Sequence, residues 1–327
     1  MEKEPRLEPY NFIDTLTLKE IEIAKDPGLN IKYLHELGFT GKGVGVAVID
    51  HPLILDYRNV KEYGDRIVHY EGGVNGNSVH GPAVASMLVG KECGVAPECD
   101  IYYFTRDPEV HPIDEEGNYT RELEAEQIRR VIEFNKTLPD DKKIRAISLT
   151  VGWKKTKNTE DIEKACEEAK QNGIFILTTS AYRHYDLNPI SARCELDKDR
   201  NDPTNYELST YLSSDKNLVS DKENKFKNGI MVPVDCRVYA NSLGNNGFAY
   251  DKNGAGGMSW SVPFITGIYA MVCQIKPDIT PENFVRIMNE TGSNVELSID
   301  ERKIDLKVLN PVGIVNAILS EIGKEQI

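Results

Sequence analysis

The chain has 327 residues, 40% of them apolar and 28% charged, a globular composition with room for one large domain or two ordinary ones. A formal net charge of −13 argues against a nucleic-acid backbone or an acidic membrane surface as partner. Residues 1–14, MEKEPRLEPYNFID, hold no apolar stretch of the secretory kind, and the apolar runs fall short of the roughly 20 residues that span a bilayer, so a cytoplasmic location is expected.

Residues 1–28 are polar, break at Pro27-Gly28, and are expected to form an extension outside the main core, with 29–327 as one domain. Past the turn at Gly41 and Gly43, Val44-Gly-Val-Ala-Val-Ile49 is an apolar run ending at Asp50, as in a strand buried on both faces of a parallel sheet. His80-Gly-Pro-Ala-Val-Ala-Ser-Met-Leu-Val-Gly90 reads as a helix with Pro82 tolerated in its first turn. Asp100-Ile-Tyr-Tyr-Phe104 is a second strand. Arg121 to Lys136 is a helix stopped by Pro139, and Ile144 to Thr150 a strand. Thr159 to Gln171 is a helix and Ile174 to Thr178 a strand. This alternation predicts a three-layer α/β domain, a mostly parallel sheet with helices on both faces.

Residues 182–228 break the rhythm, and a stretch that long predicts short elements or a functional loop. Order returns at Gly229-Ile-Met-Val-Pro-Val234. An apolar helix from Ser259 to about Gln274 follows, then helices near Pro281–Asn289 and Pro311–Ile322. The six cysteines, Cys93, Cys99, Cys166, Cys194, Cys236 and Cys273, form no CxxC pair and read as reduced thiols, neither a disulfide framework nor a zinc site.

Three loci put a reactive side chain at the edge of a regular element. Asp50 ends a buried strand, where open α/β sheets carry their functional groups. His80 and Ser259 each open a helix. A hydroxyl needs a base to take its proton as it attacks, imidazole can serve, and a carboxylate fixes the imidazole's tautomer. A serine at a helix start also offers a backbone N–H and the positive end of the helix dipole to a developing oxyanion. Singly, each residue has a plainer reading: a solvated carboxylate, a helix-entry histidine, an N-cap serine. A Gly-x-Ser-x-Gly elbow is excluded, because Gly257-Met-Ser-Trp-Ser261 lacks the second glycine. A dinucleotide loop is excluded because Gly41, Gly43 and Gly45 precede or lie within the strand.

Together these segments resemble the signature regions of the subtilisin-like (S8) serine peptidases, in that family's Asp, His, Ser order. Val46-Ala-Val-Ile-Asp50 is similar to the strand ending in the catalytic Asp. His80-Gly-Pro-Ala-Val-Ala and Gly94-Val-Ala-Pro97 are similar to the His-Gly-Thr-His-Val-Ala segment and the Gly-Val-Ala-Pro after it. Gly257-Met-Ser-Trp-Ser-Val-Pro263 is similar to Gly-Thr-Ser-Met-Ala-Ala-Pro. Ile230-Met-Val-Pro233 stands where the family has Met-Ala-Pro, and Val308-Leu-Asn-Pro-Val-Gly-Ile-Val315 resembles its closing segment. The resemblance spans roughly residues 29–320. It implies a serine endopeptidase that acts on peptides or proteins through Asp50, His80 and Ser259 and an acyl-enzyme. The alternative it leaves is a catalytically impaired relative that binds a peptide or regulates a partner. It gives no oligomeric state.

The departures bear on efficiency. The family's oxyanion asparagine falls on Tyr182, with Asn188 or Asn201 as other donors beside the Ser259 N–H, and losing such a side-chain donor costs subtilisin about 10²–10³ in turnover. The substrate-binding strand is similar to Thr150-Val-Gly-Trp153, where Gly152 keeps the backbone open for β-pairing and Trp153 would reshape the pocket or sit in the core. No cofactor is expected. The inserted loop that holds a tight calcium in the family is absent, and the acidic run Asp197–Asp202 could hold calcium but reads more simply as a solvated loop. Arg6-Leu-Glu-Pro-Tyr10 resembles the element with which intracellular subtilisins block their own cleft, which would make residues 1–28 inhibitory.

Overall fold

The apolar runs of the sequence become the strands that carry the site. In the computed structural model, the described residues are 17–53, 60–72, 78–106, 113, 120–153, 156–214, 226, 229–240, 248–251, 257–299 and 302–327. Strand β1 (Gly45–Asp50), buried along its whole length, is the middle of a five-stranded parallel sheet. Its order is β2 (Ile67–Glu71), β3 (Asp100–Thr105), β1, β4 (Ile144–Leu149), β5 (Phe175–Thr178). Both faces of β1 meet apolar side chains, so its Val/Ile run needs no polar alternation.

The expected single sheet divides after β5. The chain leaves Thr178 through a 3₁₀ turn, Ala181–Arg183, and β6 (Asn188–Arg193) pairs with other partners. The second sheet runs β11 (Ser293–Ile299), β12 (Arg302–Val308), β8 (Gly229–Pro233), β6, β7 (Glu207–Leu208), parallel at its centre and antiparallel at both edges. β9 (Arg237–Ala240) and β10 (Phe248–Asp251) form a separate antiparallel ribbon. The irregular stretch thus holds β6, β7 and a short helix, Thr210–Ser214, while 215–225 lie outside the described residues.

The apolar segment near Ser259 forms a 3₁₀ turn, Gly257–Trp260, followed by the helix Ser261–Ile275. The two together are 19 residues with a mean hydropathy of 1.3, enough by length and composition to cross a membrane, but 78% of that window is buried inside the protein. The helix packs on strands of both sheets and on the His80 helix, His80–Val89, so its apolarity is that of a central core helix.

Part of the expected N-terminal extension is folded. Leu18–Ala24 is a helix started by a capping box between Thr17 and Glu20. It buries Ile21 and Ala24 against Cys93, Cys236 and Val238, a small cluster apart from the main core. Arg6–Tyr10 lies outside the described residues. All six cysteines are free and buried, and burial pushes the Cys93 thiol up to about 12.

Candidate active site

β1 delivers Asp50 to the carboxyl end of the first sheet with no solvent exposure. A carboxylate there must be paired or hydrogen-bonded on both oxygens. His80, the first residue of its helix, supplies one bond: its Nδ1–H donates to Asp50 Oδ1 at 2.7 Å. The His51 N–H donates to the same oxygen at 2.7 Å. The Thr150 hydroxyl closes a short bond to Asp50 Oδ2. The register Ile49↔Leu149 between β1 and β4 brings Thr150 alongside Asp50. Gly81 lets the His80 helix lie close, since a Cβ there would stand 2.2 Å from the His51 carbonyl oxygen and 2.5 Å from the Tyr103 hydroxyl.

Burial alone would push the Asp50 carboxyl up. The His80 charge and hydrogen bond, with His51 and Thr150, outweigh it and bring the group to about 2. On His80 burial pushes the imidazole down, the Asp50 charge and hydrogen bond overcome it, Arg106 opposes, and the net direction is up. With Nδ1–H on the carboxylate, Nε2 is left as the basic nitrogen, and a quarter of the side chain remains exposed.

Ser259 sits in the 3₁₀ turn ahead of the helix, two residues before the first α-helical residue, Ser261. Its hydroxyl makes a long 3.5 Å contact to the Thr150 carbonyl, and no hydrogen bond joins it to His80. The next residue, Trp260, is 3% exposed and packs its ring 5.2 Å from that of His80. The His51 ring flanks His80 at the same 5.2 Å. His51 is itself fixed: Arg106 Nη2 donates to its Nε2 at 2.9 Å, so its Nδ1–H is the donor to Ser78 Oγ at 2.6 Å. Asp50, His51 and His80 hold ligand atoms within 4.8 Å of one another, as a metal site would require. The Arg106 guanidinium and the existing Asp50–His80 bond make the group better suited to moving a proton than to holding a cation.

The candidate oxyanion side chains stand on separate elements, Tyr182 in the 3₁₀ turn after β5 and Asn188 at the start of β6, with Asn201 in the loop beyond it. Tyr182 is 57% exposed, its ring 5.3 Å from the Arg183 guanidinium. Asn188 opens β6 beside Gly229, three residues before Ser191, whose hydroxyl meets the Met258 sulfur at 3.0 Å. That separation is about 10 Å along a strand. Asn201 accepts the Asn30 N–H at 2.7 Å on a different surface. In the proposed substrate strand, Thr150 turns its hydroxyl to Asp50, and Gly152 backs onto Thr179 and Ser180. The Trp153 indole points to the helix Glu160–Gln171, donating to Glu163 at 2.8 Å, so it is a buried anchor. In the acidic run, Asp199 and Asp202 cap the backbone of Asn201 and Thr204, a turn-forming use of both carboxylates.

Residue-by-residue reading of the sequence left out His51, Arg106, Trp260 and the tie from Thr150 to Asp50. The first and third were within reach, since each follows a singled-out residue directly. Arg106, just beyond β3, needed the sheet order.

No family model matches the sequence. In sequence the chain is similar to a protein of Deinococcus radiodurans named a probable subtilase-type serine protease, 23% identical over 310 residues. The match takes in 81% of this chain but only 38% of that relative's length. In structure the chain is similar to the prenylagaramide maturation protease PagA, with a TM-score of 0.57 at 15% identity, covering 88% of this chain and 98% of that one. It is likewise similar to the patellamide maturation protease PatA, with a TM-score of 0.54 at 15% identity, covering 85% and 98%. The fold is therefore the subtilisin-like α/β fold.

Proposed function

From the subtilisin-like fold as premise, we propose that the chain is a serine peptidase in which Ser259 attacks a peptide carbonyl, His80 Nε2 takes its proton, and Asp50 holds His80. The carrying observation is the Asp50–His80 couple, a 2.7 Å bond to a fully buried carboxylate that is itself held by Thr150. Such a couple fixes the tautomer, steadies the imidazolium formed as the proton arrives, and returns that proton to the leaving amine. Water then releases the acyl group from Ser259 by the same steps in reverse. Peptides or proteins are the substrate class, in keeping with the subtilase-type relative.

A second reading, a peptide-binding relative with little turnover, has one observation in its favour: the Ser259 hydroxyl contacts the Thr150 carbonyl instead of His80. Catalytic hydrogen bonds are often loose until substrate binds, so the contact does not by itself favour binding over turnover. A fluorophosphonate probe distinguishes them. Labelling of the wild type that disappears in Ser259→Ala supports the peptidase, and absence of labelling in both the full chain and a chain lacking residues 1–16 sinks it.

A further inference from the structure

Two arginines outside the proposed triad are buried with no salt bridge among the described residues. Arg237 opens β9 and is wholly buried, and Arg200, in the loop between β6 and β7, is 4% exposed. Arg237 Nη2 donates to the Cys93 carbonyl at 2.9 Å, and its guanidinium lies 5.2 Å from the centre of the Phe264 ring. Arg200 Nη1 donates to the Cys236 carbonyl at 2.9 Å and makes a longer 3.5 Å contact to that of Cys194. The remaining guanidinium nitrogens, Nε and Nη1 of Arg237 and Nε and Nη2 of Arg200, are buried with no hydrogen-bond partner among the described residues.

Neither arginine forms a salt bridge among the described residues, and the charge of Arg200 acts against that of Arg237. Unlike lysine, arginine cannot shed its proton to escape burial. Of the groups that act on Arg237, the Cys93 thiol and the Tyr206 phenol are held neutral by burial, which pushes the thiol up to about 12 and the phenol up as well. Asp26 bears weakly on Arg237, and its Oδ1 is occupied by the Gly28 N–H at 2.8 Å.

Both heads reach one small region. Cys93 and Cys236, whose carbonyls they bind, pack together with Val238 under Ile21 and Ala24 of the N-terminal helix. The chain just after that helix is tied to the same place, for the Leu29 N–H donates to the Arg200 carbonyl at 2.9 Å, and the Tyr206 hydroxyl donates to that same oxygen at 2.8 Å.

We propose that Arg200 and Arg237 form an internal binding site for a small monovalent inorganic anion, closed over by the N-terminal helix. Carbonyl oxygens and a π face satisfy part of each guanidinium, and an anion supplies the acceptor and the charge that these leave missing. A weakly hydrated anion suits an enclosed site, because little hydration is lost on entry. Chloride is the probe.

Thermal unfolding of the full chain in sodium chloride against sodium gluconate, at constant ionic strength, tests the site. The expected result is a saturable rise in midpoint of roughly 2–4 °C with chloride, complete below the concentrations at which salts act on surfaces generally. Arg237→Met should abolish the chloride dependence, with Arg200→Met in its place if the first variant does not fold. Crystals grown in bromide should show an anomalous peak within hydrogen-bonding distance of both guanidinium groups. Equal midpoints for the wild type in chloride and gluconate, as for a site filled by water alone, would overturn the proposal, as would a full chloride response in a folded arginine variant.

Discussion

Thr150 shows how one hydroxyl serves two demands. It satisfies the second oxygen of a carboxylate with no access to water, and through Asp50 it holds the imidazole of His80, the proposed base. Thr150→Val keeps the shape and deletes the donor, so Asp50 Oδ2 loses its partner. A buried acceptor left unpaired costs ~1–3 kcal/mol, and more for a charged one, so urea unfolding of Thr150→Val should show a loss of at least that size while Thr150→Ser stays near wild type. Equal stability of all three proteins would remove Thr150 from the arrangement. The acid side of the activity profile follows from His80. The proposed base must be neutral and its imidazole is held above the ordinary 6.5, so activity should fall as pH drops through a midpoint above 6.5. Asp50→Asn removes the charge that raises it. The midpoint should then move to lower pH while turnover drops by about 10³–10⁴, readable from the pH dependence of kcat/KM. For stability the signs separate. The raised His80 adds stability below pH 6.5 that is lost as pH rises through its folded value. The depressed Asp50 adds stability above its ordinary 3.8 that is lost as pH falls toward about 2.

The N-terminal helix makes truncation experiments specific. Deleting residues 1–28 removes Leu18–Ala24 with any inhibitory segment, uncovering Cys93, Cys236 and Val238. Deleting residues 1–16 leaves the capped helix in place. If the Arg6–Tyr10 segment blocks the cleft, the shorter deletion should raise peptidase activity at unchanged thermal midpoint. The longer one should lower the midpoint by several degrees, because an Ile and an Ala lose their buried contacts. Unchanged activity after the shorter deletion ends the inhibitory reading. The contrast between this helix and β1 explains what was legible. β1 announces itself by four apolar residues in a row, Val46 to Ile49, a pattern that a strand covered on both faces tolerates. The helix buries just two side chains in a charged segment, and nothing local says that a surface of cysteines and a valine awaits them. The same holds for the oxyanion donor. Asp50, His80 and Ser259 stand at element ends that periodicity marks, whereas Tyr182 was found by counting along a chain whose turn after β5 takes its own path, leaving the phenol in solvent. The break between the two sheets lies at this turn, and pairing partners of β6 depend on register with β8, 41 residues further on (Asn188↔Gly229).

At the scale of the whole molecule, one helix joins the parts. Ser261–Ile275 packs against β1, β4 and β5 of the first sheet, β6 and β8 of the second, and the His80 helix. Its Ser259 end and the His80 helix are therefore held by a shared core, and their separation is set where the helix crosses Gly94-Val-Ala-Pro97. That crossing is at Gly267, where a Cβ would stand 2.8 Å from both Cβ and Cγ1 of Val95. Val95 is fully buried and cannot swing aside, so Gly267→Ala must push the helix away from the segment that ends the His80 helix. Overpacking of this kind costs ~1–3 kcal/mol. The Ala variant should therefore unfold at a lower midpoint and, because the displaced helix follows directly on the 3₁₀ turn that carries the proposed nucleophile Ser259, should also lose turnover. A stability loss with kcat fully retained would mean that the proposed triad is held locally, by Asp50, Thr150 and the 3₁₀ turn alone. Restoring room with Val95→Ala in the Gly267→Ala background separates the two causes: both stability and kcat should recover in part if the spacing of the helices sets the triad, and the double-mutant coupling measures how much of the activity depends on it.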